Sequence, residues 1–89
     1  EYTLSQVATA VERIYHITLE DIRSWSRRPE VLRGRRVISL VAKEYGYRGR
    51  EIAGYLQKDP AAVTGYLRQG VDLRGEVGKV VGDIRSAGK

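Results

Sequence analysis

The fold is decided by residues 50–69, which read REIAGYLQKDPAAVTGYLRQ. Apolar residues recur at helical spacing on both sides of a break at residues 58–60, which predicts two short helices. At the break, Asp59 is a good N-cap because its carboxylate can accept from the unpaired N–H groups of the next turn. Pro60 suits the first helical position, where its missing N–H breaks no bond. A turn this short makes the helices meet at a steep angle, which predicts a helix-turn-helix over residues 49–69.

The rest of the sequence predicts four more helices around this pair. Thr3 and Thr18 stand at the starts of two helical patterns and are expected to cap them. Pro29 opens a third, longer helix that is apolar on most sides and is expected to be central. We expect Trp25 to belong to the inner face of the second helix. No stretch alternates like a strand, so the predicted fold class is all-α, a single domain of about six helices over residues 1–89.

Three further positions depend on local backbone chemistry. Gly34 weakens the first half of the third helix by about 1 kcal/mol relative to alanine, so that helix begins either at Pro29 or just after the glycine. Gly46 is a candidate left-handed cap at the end of the same helix. We expect Asp72 to cap the last helix, whose apolar residues follow it at helical spacing.

Composition narrows the class of protein. The chain has 89 residues, no cysteine and a net charge of +5. The lack of cysteine excludes disulfides and fits a cytoplasmic location. No apolar run approaches the roughly 20 residues of a membrane span, so no membrane partner is expected. Because the sequence starts at Glu1 and contains no methionine, we expect it to be a fragment of a longer protein.

Positive charge is concentrated in residues 23–36, called here the arginine segment. It holds six Arg and one Glu, whereas residues 1–22 carry a net charge of −3. A basic segment beside a helix-turn-helix predicts double-stranded DNA as the partner. The alternative to DNA contact is that these arginines form an ordinary basic surface exposed to solvent. We expect at least two arginines of this segment to contact phosphates or the minor groove. The candidates are Arg27, Arg28, Arg33, Arg35 and Arg36.

The second helix of the pair is the candidate recognition helix. Val63, Tyr66 and Leu67 are expected to pack inward, which leaves small residues outward and lets the helix backbone approach base edges. Arg50 lies at the start of the first helix, whose N–H groups can face a phosphate. The DNA contacts predicted for the pair are Arg50, Lys58, Ala61, Ala62, Thr64 and Arg68.

The order of these features resembles the C-terminal DNA-binding domain of the bacterial replication initiator DnaA, a Trp-repressor-like helical domain. The likeness covers nearly the whole chain, and similar domains occur at the C-terminal end of some bacterial transposases. In this family an Arg-rich segment before the long helix reaches the minor groove, which implies that role for Arg33 and Arg35. The matching features are the Arg-rich segment, Ala42-Lys43-Glu44-Tyr45, Glu51-Ile52-Ala53, and Asp59 with Val63.

The sequence departs from this family at the base-reading positions. The family's recognition helix begins with Arg-Asp-His-Thr-Thr-Val, whereas residues 58–63 read KDPAAV. Lys58, Asp59 and Val63 keep the pattern, but the His and both Thr are missing, so a DnaA-box target is not implied. Gln57 replaces the glycine common at such turns, and we expect it to hold a left-handed conformation at about 1 kcal/mol.

Two other function classes compete with DNA binding. Catalysis is disfavoured because His16 is the only histidine and most acidic residues stand at helix starts, so no catalytic, metal or cofactor site is predicted. The alternative is a protein-interaction module, with the basic face meeting an acidic partner and the last helix packing between chains. Because one module reads few base pairs, a homodimer or an additional domain of the same chain is a further expected partner.

Overall fold

The chain is a bundle of helices with no strand in residues 2–70 and 72–87, the part that a computed structural model describes. Its six helices there are α1 (Leu4–Tyr15), α2 (Leu19–Arg23), α3 (Pro29–Glu44), α4 (Gly49–Leu56), α5 (Pro60–Gln69) and α6 (Arg74–Ala87). The all-α prediction is confirmed. None of these helices combines the length and the apolar character needed to cross a membrane.

The first two helices begin at the predicted caps. The Thr3 hydroxyl accepts from the Gln6 N–H at 3.1 Å, and the Gln6 side-chain carbonyl accepts from the Thr3 N–H at 2.7 Å. Thr18 and Asp21 make the same reciprocal pair at the start of α2, with both distances 3.1 Å. Each pair satisfies two N–H groups that a bare helix start would leave unbonded. α2 nevertheless ends at Arg23, earlier than expected.

α3 is the central helix and packs against all five others. It begins at Pro29 and continues through Gly34, so the glycine lies inside the helix. A Cβ at Gly34 would stand 2.6 Å from Ile17 Cδ1, which explains why this position has no side chain. The helix ends at Glu44, and Gly46, two residues further on, holds the predicted left-handed conformation with φ of 91°. There the Tyr47 N–H donates back to the Ala42 carbonyl at 3.0 Å, a Schellman-type closure.

α4 and α5 form a helix-turn-helix at the predicted place, with a turn of three residues. Gln57 holds the expected left-handed conformation, with φ of 57°, and Pro60 is the first residue of α5. Asp59 occupies the N-cap position, but its side chain makes no capping bond. Its backbone carbonyl instead accepts from Ala62 and Val63 at 2.9 and 3.3 Å. The position of the cap is therefore as predicted, whereas the carboxylate bond is not formed.

α6 packs on α1 and α3, away from the turn between α4 and α5. Arg13 of α1 forms an ion pair with Asp83, and the Tyr15 hydroxyl donates to the Glu76 carboxylate. Asp72 stands one residue too early to cap α6, so that prediction is wrong. The turn between α4 and α5 therefore lies on a part of the surface that α6 does not cover.

Candidate nucleic-acid interface

A groove of about 550 Å³ runs between the arginine segment and the helix-turn-helix. The loop joining α2 and α3, residues 24–28, forms one wall together with the start of α3, and we call it the α2–α3 loop. The turn before α5 and one side of α5 form the other wall. The main contributors are Trp25, Arg27 and Leu32 on the first wall and Lys58, Ala62 and Tyr66 on the second.

Arg35 lies beneath the α2–α3 loop and is only 5% exposed. Its guanidinium donates to the carbonyls of Ile22 at 2.9 Å, Ser24 at 2.7 Å and Ser26 at 2.8 Å. These carbonyls lie at or just beyond the end of α2, where a helix leaves acceptors unpaired and its dipole favours a cation. The prediction that Arg35 contacts DNA is therefore wrong, because its donors point into the protein.

Lys58 binds the same end of α2 from the helix-turn-helix. Its Nζ donates to the carbonyls of Arg23 at 3.1 Å and Ser24 at 2.6 Å, and it lies 4.3 Å from the Trp25 ring centroid. Burial, and then the nearby Arg35 cation, lower the pKa of Lys58 below its ordinary value. The ammonium is thus committed to backbone carbonyls, and its main effect is to fix the turn against the α2–α3 loop.

Arg23 of α2 bonds to the helix-turn-helix. Its Nε donates to the Tyr55 carbonyl at 2.9 Å, near the end of α4, and its guanidinium carbon lies 5.1 Å from the Tyr55 ring centroid. Arg23 and Lys58 therefore tie the end of α2 to the helix-turn-helix through three cation–carbonyl hydrogen bonds. Arg23 was not among the residues predicted from the sequence, because its acceptor lies 32 residues away along the chain.

Arg28 is exposed and pairs with the Asp21 carboxylate at 3.1 Å. The hydrogen bond from the Thr18 N–H, with a smaller effect of Arg28, holds the pKa of Asp21 below its ordinary value. An exposed ion pair of this kind contributes little to stability because solvent and salt screen it. Arg28 can therefore exchange Asp21 for a phosphate at little cost.

The other predicted arginines of the segment are distributed around α3. Arg27 is exposed and lines the groove. Arg33 is exposed but lies toward the end of α1, where its charge acts on the Tyr15 hydroxyl. Arg36 is half-buried, one helical turn after Leu32. The arginine segment thus does not act as one basic face, and Arg27 is its exposed contribution to the groove.

α5 has a narrow buried side and a surface made of small residues. Val63 is fully buried, whereas Tyr66 and Leu67, expected to be inside, are only half-buried. A Cβ at Gly65 would meet no atom within 4 Å, so internal packing does not require a glycine there. The exposed or half-exposed residues on this surface are Ala61, Ala62, Thr64, Gly65 and Arg68.

Arg50 lies outside the groove, in the first turn of α4. It is exposed and neighbours Arg48 and Glu51. The Glu51 carboxylate accepts from the Arg48 N–H at 2.8 Å and so already occupies part of this helix start. A phosphate at this N-terminus would therefore meet a carboxylate as well as the expected Arg50.

Trp25 lies on the surface, whereas the sequence predicted a buried position for it. It was expected on the inner face of α2, but α2 ends at Arg23 and the Trp25 side chain is 88% exposed. Its sequence neighbours, residues 23–28, are RSWSRR and offer no apolar partner. That run of polar residues around one tryptophan was the available signal for a surface position.

Comparisons with protein-family models, curated proteins and solved structures found no match. The resemblance to the DnaA C-terminal domain therefore stays a prediction. Within the described residues, no three His, Asp or Glu side chains come together as a metal-binding group. The groove and the small-residue surface of α5 are the features on which a function can be proposed.

Proposed function

We propose that this chain is a double-stranded DNA-binding module whose recognition helix is α5. One observation carries the proposal: the small, exposed surface of α5 borders a groove whose opposite wall presents Arg27. A helix that enters the major groove needs little bulk on its leading face and cations beside it for the flanking phosphates. The resemblance adds a replication-initiator-like or transposase-like bacterial parent as the setting.

In this proposal, the exposed residues of α5 contact the base pairs. The methyl groups of Ala61 and Ala62 contact thymine methyls. The Thr64 hydroxyl, which donates to the Pro60 carbonyl at 3.2 Å, accepts a hydrogen bond from a base edge. Gly65 lets the α5 backbone come close to the base pairs. Arg68, further along the exposed side, meets a phosphate. Sequence choice then comes from α5, while affinity comes mainly from the arginines.

Arg27 and Arg28 supply the phosphate contacts on the side of the α2–α3 loop. Phosphate contacts release counterions, so each one steepens the dependence of affinity on salt by about 0.9 in a double-logarithmic plot. Because Arg35, Lys58 and Arg23 hold the loop backbone in place, the backbone that carries the two exposed arginines keeps a fixed distance from α5.

The test is a fluorescence-anisotropy titration of labelled random-sequence duplexes at about 50 and 200 mM salt. The double variant Arg27→Ala/Arg28→Ala should weaken binding and flatten the salt slope by about 2. The matched control, Lys79→Ala/Arg85→Ala on α6, removes the same charge from another face and should leave the slope almost unchanged. Equal effects of the two variants would show that net charge alone drives binding and would refute the proposed docking. Sequence preference is then measured by selecting bound duplexes from a random pool.

The protein-interaction alternative is favoured by a second groove, of about 580 Å³, between α3 and α6. Leu40, Val77 and Val81 line it and are only half-buried. Sedimentation over increasing protein concentration tests this alternative. A dimer that binds no duplex would favour it over DNA binding, whereas a monomer that binds duplex would exclude it.

A further inference from the structure

The Trp25 indole is exposed, but the backbone that carries it is held by hydrogen bonds. Its side chain is 88% exposed, yet the carbonyls on either side of it, those of Ser24 and Ser26, both accept from the Arg35 guanidinium. The Ser26 N–H also donates to the Ser24 hydroxyl at 3.0 Å. The loop backbone is therefore fixed before any ligand arrives, so a partner of Trp25 binds without the entropy loss of ordering a mobile segment.

The surroundings of Trp25 are cationic. The Lys58 ammonium lies 4.3 Å from the ring centroid, and Arg27 and Arg28 follow in the same loop. An aromatic ring in such a setting is suited to a flat, electron-rich group on an anionic chain, since stacking and charge attraction act together. Nucleobases in single-stranded nucleic acid have this combination, whereas a typical apolar protein surface does not.

An intact duplex gives such a ring no base face to contact, because every base is stacked within the helix. A base becomes available only when it is unpaired, as at a bulge, a mismatch or a single-strand junction. Trp25 lines the same groove as Ala62 and Tyr66 of α5. A nucleotide displaced beside the duplex on α5 would therefore lie within the same site.

We propose that Trp25 is a stacking site for an unpaired nucleobase, so that the preferred ligand is duplex DNA carrying an unpaired nucleotide beside the segment read by α5. This inference rests on the proposed function. Lys58 occupies one face of the indole, and the base stacks on the other. α5 and the arginines hold the duplex, and Trp25 selects duplexes that contain the irregularity.

The experiment uses two labelled duplexes of the same sequence, one fully paired and one with a single unpaired nucleotide. Trp25 is the only tryptophan, so its emission, excited where tyrosine does not absorb, reports contact at this one site. Anisotropy of the DNA label reports binding separately. We expect the duplex with the unpaired nucleotide to bind about tenfold more tightly and to quench the emission, as stacking on an aromatic side chain does.

Variants at this position separate stacking from other roles. Trp25→Ala should weaken binding of the duplex with the unpaired nucleotide about tenfold more than it weakens binding of the paired duplex. Trp25→Phe should keep part of the preference, and Trp25→Leu should keep none. Because the side chain is exposed, all three should unfold like the wild type in a circular-dichroism melt.

The possible results separate this inference from the proposed function. Binding of both duplexes with equal affinity and without quenching would overturn the stacking site while leaving DNA binding intact. Equal weakening of both duplexes by Trp25→Ala would show contact with the duplex backbone and would also overturn it. Quenching by an acidic protein but by neither duplex would assign the indole to a protein partner. Failure to bind either duplex would refute the proposed function itself.

Discussion

Replacing Arg35 with alanine should unfold the domain more than any other single arginine substitution. The Arg35 guanidinium is 5% exposed and donates to backbone carbonyls around the end of α2, in three short bonds of 2.7 to 2.9 Å and one longer bond of 3.4 Å to Asp21. Alanine removes this partner from the Ile22 and Ser26 carbonyls, leaves the Ser24 carbonyl with Lys58 alone, and opens a space under the α2–α3 loop. It also loosens the loop against the helix-turn-helix, because Lys58 and Arg35 bind the same Ser24 carbonyl.

The magnitude follows from the bonds that are lost. A hydrogen bond from a charged donor contributes about 1.5–3 kcal/mol, so three give roughly 4–9 kcal/mol as an upper bound. Water can reach the half-buried Ser24 and Ser26 carbonyls after the change, and the burial of a cation is no longer needed. We therefore expect a loss of about 3 kcal/mol in the free energy of unfolding. For a domain of this size that lowers the Tm by about 12–24 °C.

The measurement is urea and thermal unfolding followed by circular dichroism. Arg33→Ala is the matched control, because Arg33 is an exposed arginine of the same helix and its loss should change stability by no more than about 0.5 kcal/mol. Arg35→Lys should fall between, since an ammonium lacks the planar fork that reaches several carbonyls. A loss below about 1 kcal/mol for Arg35→Ala, or a flatter salt slope of DNA binding at unchanged stability, would refute the structural role given to this residue.

Three further substitutions test separate parts of the structure. Gly65→Ala should stabilise the domain by about 1 kcal/mol, because a Cβ there meets no atom within 4 Å. The same change should weaken duplex binding about tenfold, because the added methyl group holds the α5 backbone away from the bases. The control Gly82→Ala on α6 should give the same gain in thermal stability with no change in affinity for the duplex. Gly34→Val should destabilise by about 2–3 kcal/mol relative to Gly82→Val, because its Cβ would lie 2.6 Å from Ile17 Cδ1, and equal unfolding midpoints in urea would contradict this. The pKa of Asp21 is lowered on folding, so its contribution to stability is present at neutral pH and is lost as pH falls through that lowered value, below the ordinary 3.8. The stability difference between the wild type and Asp21→Asn should therefore disappear on acidification, and a difference that persists in acid melts would exclude this linkage.

Local signals were sufficient for much of the fold. The reciprocal bonds of Thr3 with Gln6, the left-handed Gln57, and Pro60 at the start of α5 all involve residues within one helical turn of one another. Such contacts are encoded by spacing along the chain, so the sequence predicted them correctly. The same holds for the helix-turn-helix, whose two helices and short turn occupy adjacent residues.

The candidate site depended on contacts that the sequence does not reveal. Arg33 and Arg35 stand two positions apart and are chemically identical, yet one is exposed and the other lies buried under a loop. Which of them turns inward depends on how α3 is rotated against the end of α2, and its bond partners lie 9 to 13 residues away in sequence.

The position of Trp25 also could not be predicted from the sequence. Its hydrophobic character predicted a core position, but the carbonyls next to it bind Arg35 from α3 and Lys58 from the helix-turn-helix. Those long-range bonds hold the chain in a loop and leave the indole in solvent. Sequence spacing thus determined the helices and their caps, because these depend on neighbours along the chain. The tertiary structure alone decided which cations became internal bonds and which aromatic ring was left exposed, because those outcomes depend on how separate helices pack together.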